Sequence, residues 1–174
     1  MRVVAVVLAA GSSTRLGTPK QDIVFDGETL LQRAERLACA VADEVIVVDR
    51  QLNPDADEGI ASSIRTGVRL AGENARILIM LCDQPLITVQ HLRALIASDA
   101  PIVATGYAGI AGVPAVFAPE FVPELRALRG DRGARVVIAA HRDIARVVSF
   151  EDAAVDIDRQ DDLRKLSPQR RRDR

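Results

Sequence analysis

Two short apolar runs constrain this chain more than anything else in it. Val3 to Ala10 and Ile77 to Cys82 are continuous rather than alternating, and both carry β-branched residues. A strand of that kind is covered on both faces, as in a parallel sheet held between helices. The stretches between apolar runs are amphipathic, so the expected class is α/β with a mostly parallel central sheet and helices on both faces. Strands are expected at Val3 to Leu8, Glu44 to Val48, Arg76 to Cys82, Pro101 to Thr105, Val113 to Phe117 and Ala145 to Val148. Helices are expected at Thr29 to Val41, Ile60 to Ala71 and Val89 to Ala97, the last with Thr88 as N-cap. Two short helices follow, around Leu125 and Leu128 and over Arg132 to Ala140, and Asp161 to Leu166 forms a closing one. In the first helix Leu30, Leu31, Ala34, Leu37, Ala38 and Val41 share one face, with Arg33, Glu35 and Arg36 opposite.

The 174 residues suffice for one domain with its own core. We place it at residues 1–166, leaving 167–174 as a basic, solvated tail around Arg170, Arg171 and Arg172. Neither apolar run is long enough to span a bilayer. Met1-Arg2 before an apolar stretch imitates a signal peptide, but the valine content and the mid-chain sibling mark both runs as strands. Cys39 and Cys82 lie in apolar segments and form neither a disulfide framework nor a zinc spacing, which points to a reduced, cytoplasmic protein. The net charge is −1, aromatics make up 3% and tryptophan is absent, so the chain has no electrostatic footprint or stacking platform for nucleic acid.

Ligands of open α/β sheets bind beyond the carboxyl ends of strands, and there the unusual residues gather. After the first strand, Leu8 to Gln21 packs Gly11, Ser12, Ser13, Arg15, Gly17 and Lys20 into one irregular loop. Glycine permits a close backbone approach to phosphate, consecutive N–H groups can form an anion nest, Arg15 offers a planar fork and Lys20 a point charge. It is not a Walker loop, because five residues separate Gly11 from Gly17 and Lys20 follows three residues later. It is not a dinucleotide fingerprint either, because Ser13 stands where the second glycine belongs. The plain alternative is an ordinary Gly/Ser turn.

Asp83 follows the second apolar run directly, before Gln84 and Pro85. A carboxylate at the end of a buried strand is costly unless paired, and Mg²⁺ takes one or two carboxylates together with substrate phosphates. A turn or capping aspartate is the alternative. Gly59 to Gly67 presents a helix start with free N–H groups and the hydroxyls of Ser62 and Ser63, suited to a nucleotide base or sugar, or else a small-residue helix packed closely on the sheet. His91 and His141 read as surface or partly packed residues, and Cys82 as core. No nucleophilic triad is apparent.

The stretch LAAG-x-S-x-R-x-G-x-x-K, Leu8 to Lys20, resembles the signature of sugar-nucleotide-type nucleotidyltransferases, above all the MocA-like molybdenum cofactor cytidylyltransferases and their MobA-like NTP transferase relatives. LCDQPL around Asp83 matches that family's L-x-D-Q-P-L, and Gly59 to Gly67 its G-x-x-S-S-[LI]-R-x-G. The resemblance implies a Rossmann-like, GT-A-like single domain that transfers a nucleoside monophosphate from an NTP to a phosphorylated acceptor and releases pyrophosphate. It implies that Leu8, Ala9, Ala10, Gly11 and Ser12 hold the nucleoside, joined by Ser62, Ser63 and Arg65. Arg15 would meet the pyrophosphate, Lys20 the α-phosphate, and Asp83 would be both catalytic and the main ligand of Mg²⁺ or Mn²⁺. Asp158, in VDIDRQDDL, would complete the metal site, while Asp156 reads as solvated and Asp161 and Asp162 as first-turn helix acids. Gly112, Pro114, Asp131 and Arg135 would face the acceptor, with Val113 where the family carries histidine; Asp131 as N-cap of the following helix is the alternative. Ala10 accompanies cytidine in the family, so CTP and molybdopterin are the implied pair, with a molybdoenzyme receiving the product. Other readings are GTP or another phosphorylated metabolite, and a catalytically silent nucleotide- or cofactor-binding accessory protein.

Overall fold

The computed structural model describes residues 1–11 and 19–157. Six strands form one sheet: β1 (Val3–Leu8), β4 (Glu44–Val48), β5 (Arg76–Leu81), β6 (Ile102–Tyr107), β7 (Ile110–Phe117) and β8 (Ala145–Ser149). Their order is β4-β1-β5-β7-β6-β8. Five run parallel, and β7 alone is antiparallel to its neighbours β5 and β6. The reversal has a local cause. Tyr107-Ala108-Gly109-Ile110 closes a hairpin in which Ala108 and Gly109 take φ of 47° and 73°, so β7 begins at Ile110 rather than Val113, and β6 extends to Tyr107.

Alternation along each strand divides the core. Val4, Val6 and Leu8 of β1 face α2 (Ile60–Ala71), α4 (Val122–Ala127) and α5 (Arg135–Ala140), while Val3, Ala5 and Val7 face α1 (Leu30–Cys39) and α3 (Val89–Ile96). Thr29 caps α1 with a full capping box through Gln32, and Thr88 caps α3 by accepting from His91 N. Gly67 lets α2 lie against the sheet: a Cβ there would stand 2.2 Å from Val6 Cγ1. The helix end expected at Asp161 to Leu166 lies outside the described residues.

The hairpin of β2 (Val24–Phe25) and β3 (Glu28–Thr29) is an addition to the expected elements. Its signal was the Asp26-Gly27 dipeptide, whose φ values of 51° and 86° suit a tight hairpin turn. Two expectations change, at Arg33 and His91, while Cys82 lies in the core as expected. Arg33 is half-buried and not on a solvent face. Cys39 is exposed while Cys82 is buried. His91 is buried at 5% exposure, stacked on Phe150 at 4.4 Å.

Candidate active site

The carboxyl ends of β1 and β5 lie side by side, with Leu8 paired to Leu81. Chain direction therefore delivers Ala9, Ala10 and Gly11 next to Cys82 and Asp83. Ala9 and Ala10 are buried and Gly11 exposed, so the backbone reaches the surface at the glycine. Lys20 opens a short helical turn and sends its Nζ to Asp83 Oδ2, 3.0 Å away. The other carboxylate oxygen, Oδ1, is buried without a hydrogen-bond partner. An orphaned anionic oxygen at a strand end fits a hard cation that brings its own remaining ligands on water or phosphate. Among the described residues no three His, Cys, Asp or Glu side chains cluster as a ready-made cage.

The turn after β5 is gripped residue by residue. Asp83 O accepts from Ile157 N at 3.2 Å. Gln84, 4% exposed, donates through Nε2 to Val113 O at 3.2 Å and Ala153 O at 2.9 Å. Pro85 O accepts from Arg33 Nε at 2.6 Å. Leu86 packs on a small cluster of Ile23, Phe25, Leu30 and Ile157. Each grip comes from a different part of the chain, so the carboxylate is fixed before any ligand arrives. Arg33 and Gln84 are positioning residues that local sequence patterns did not single out.

Behind the turn, His91 Nε2 meets Thr105 Oγ1 at 2.8 Å, and Thr105 Oγ1 donates to Pro114 O at 2.6 Å. The threonine proton is thus spent on Pro114, so Nε2 carries the histidine proton. Burial lowers the His91 pKa and keeps the ring neutral. Burial also pushes the Cys82 thiol up to about 12, with Asp83 adding to the shift, which leaves it an inert core group.

The α2 start is more occupied than its sequence suggests. Asn53, on the loop after β4, donates through Nδ2 to both Ser62 Oγ and Ser63 Oγ at 2.9 Å, and all three residues are buried. Ala61 N donates to Gly130 O at 3.0 Å. Arg65 is spent on Glu58 and on Leu128 O. The serines and Arg65 therefore fasten the loop at residues 49–58 and the turn at Gly130 to α2.

A cleft of about 1040 Å³ opens beside the strand ends. Leu8, Leu81 and Val113 floor it, and Tyr107, Asp131 and Arg135 line its walls. Gly112 and Pro114 are buried within β7, and only Val113 between them reaches the cleft. Asp131 does not cap α5, whose N-cap is Ala134; its carboxylate lies against Gly59 instead. Ser12, Arg15 and Asp158 lie outside the described residues, although Ile157, bonded to Asp83, is the neighbour of Asp158 in the chain.

Residues 5–145 match the MobA-like NTP transferase domain. The chain belongs to this family. The purine catabolism protein PucB of Bacillus subtilis (strain 168) is 29% identical over 76% of this chain and 78% of its own. Nicotine blue oxidoreductase of Paenarthrobacter nicotinovorans is 30% identical over 78% and 81%. Rv0371c of Mycobacterium tuberculosis H37Rv superimposes with a TM-score of 0.82 at 30% identity, covering 95% of this chain and 97% of that one. A structure of Rv0371c in complex with manganese gives 0.76 at 26% identity, covering 95% and 98%. The chain is thus a nucleotidyltransferase of the MobA-like family on a mostly parallel α/β sheet. No helix among the described residues is long and apolar enough to cross a membrane.

Proposed function

We propose that this protein is a cytoplasmic, divalent-metal-dependent cytidylyltransferase that transfers CMP from CTP to the phosphate of molybdopterin and releases pyrophosphate. The carrying observation is Asp83: one oxygen on Lys20, the other buried and unpartnered, just beyond the carboxyl end of β5 where Leu81 pairs with Leu8. The preference for cytidine rests on Ala10 in the LAAG stretch, and that for a ring-bearing phosphorylated acceptor on a cleft with an apolar floor and Arg135 on its wall.

Asp83 would hold Mg²⁺ or Mn²⁺, with Asp158 as the second ligand; the manganese complex of Rv0371c supports a divalent ion. The ion, when bound, neutralises phosphate oxygens and steadies the charge of the leaving pyrophosphate. Lys20 and Arg15 neutralise the remaining triphosphate charge, and Leu8 to Ser12 carry the nucleoside. An acceptor phosphate oxygen bonds to the α-phosphorus while the α–β bridging bond breaks and pyrophosphate departs in line. A phosphate is already ionised at neutral pH, so no general base is needed. That agrees with the buried, neutral His91. The product would pass to a molybdoenzyme.

The test is a panel of four nucleoside triphosphates with Mg²⁺, each with and without molybdopterin, scored for pyrophosphate. Release with CTP only when molybdopterin is present supports the reading. Release with GTP or another acceptor reassigns the substrate, and no release with any pair favours a silent binding protein. Arg15→Ala should weaken triphosphate binding more than monophosphate binding; equal losses would remove it from the leaving group.

A further inference from the structure

Tyr107 is the chain's single tyrosine, and no tryptophan accompanies it. It ends β6 at the tip of the β6–β7 hairpin, half-buried, with its partner across the turn at Ile110. The hairpin tip is fixed from outside, because Ala108 N donates to Glu151 Oε2 at 3.0 Å. The phenol folds back over Gly112: a Cβ on that glycine would stand 2.6 Å from the hydroxyl oxygen. Absence of a side chain at position 112 is what lets the ring lie inward.

The hydroxyl lies over Gly112, next in the chain to Val113, whose carbonyl accepts from Gln84 of the Asp83 turn, and Tyr107 lines the cleft together with Arg135. Burial raises its pKa, the carboxylates of Asp156 and Asp83 add to that, and Arg135 and the Gln84 side chain oppose it. Gln84 follows Asp83 on the turn after β5, and Arg135 lines the cleft. The phenol stays protonated and neutral, so it can donate to a phosphate oxygen without adding negative charge beside the two carboxylates. Arg135 shares the cleft wall and is itself exposed.

We propose that Tyr107 is an acceptor-binding residue, its hydroxyl donating to the phosphate of an acceptor held in the cleft. The proposal rests on the nucleotidyl-transfer reading but not on the identity of nucleotide or acceptor. It also gives Gly112 a function: the glycine contacts no substrate and instead makes room for the ring.

A single tyrosine gives a single [ζ-¹³C]tyrosine NMR signal. The experiment titrates phenyl phosphate, and in parallel phenol, into labelled protein holding Mg²⁺ and a non-hydrolysable CTP analogue. A saturable shift with phenyl phosphate and none with phenol is expected; the same response to both, or to neither, overturns the proposal. In the kinetic arm, Tyr107→Phe should raise the KM for molybdopterin about tenfold or more, the loss of one hydrogen bond to a charged group, with the KM for CTP unchanged. Gly112→Ala should do the same by displacing the ring. Equal changes in both KM values, or none in either, count against Tyr107. If the wild-type protein releases no pyrophosphate with CTP and molybdopterin, the proposed substrate pair fails, while the NMR signal still decides the role of Tyr107.

Discussion

The ammonium of Lys20 lies 3.0 Å from Asp83 Oδ2, joining two loops that are 63 residues apart in the chain. Asp83 lies just beyond the end of β5 and Lys20 on a short helical turn, with 19% and 25% of their side chains exposed. Each partner compensates the other's charge, and in the proposed reaction a triphosphate and a cation would take over both.

Replacing Asp83 by alanine should lower turnover by at least about a hundredfold, since it removes the carboxylate proposed to hold a divalent cation at the reacting phosphates. The fold should persist, because the grips on the turn use the Asp83 backbone and its neighbours. Pyrophosphate release beside far-ultraviolet circular dichroism reads both. Unchanged turnover would strip Asp83 of its metal role.

Gly67→Ala puts a methyl group 2.2 Å from Val6 Cγ1, at the fully buried centre of β1. Neither α2 nor the strand can yield without disturbing its packing, so stability should fall by about 1–3 kcal/mol. Urea unfolding measures this as a lower midpoint at constant slope.

Asn53→Ala removes the donor shared by two buried serine oxygens. A loss of about 1–3 kcal/mol is expected from the unsatisfied groups. The loop at residues 49–58 should become more open to proteolysis. A loop cleaved no faster than in the wild type would mean that Asn53 does not anchor it.

Glu58 accepts from Arg65 and from Gly130 N, which hold its pKa down at about 2. A depressed carboxylate favours the folded state above its unfolded value near 4.5, and that contribution disappears as pH falls towards 2. Unfolding midpoints between pH 2 and 6 should therefore fall less steeply with acid in Glu58→Gln than in the wild type. Parallel curves would show that the clamp contributes nothing at this surface.

Much of the architecture is written locally. Continuous apolar runs name β1 and β5, the i, i+4 spacing of Ile60, Ile64 and Val68 names α2, and strand-end chemistry names Lys20 and Asp83. These signals need only a few consecutive residues, because strand burial and helix periodicity repeat over short distances. The tertiary structure decided the rest. It placed β7 between β5 and β6, spent Ser62 and Ser63 on Asn53, turned Arg33 and Gln84 into struts for the Asp83 turn, and folded Tyr107 over Gly112. A hydroxyl, an amide or a guanidinium has the same bonding capacity toward protein as toward ligand, and only its neighbours in space determine which it meets.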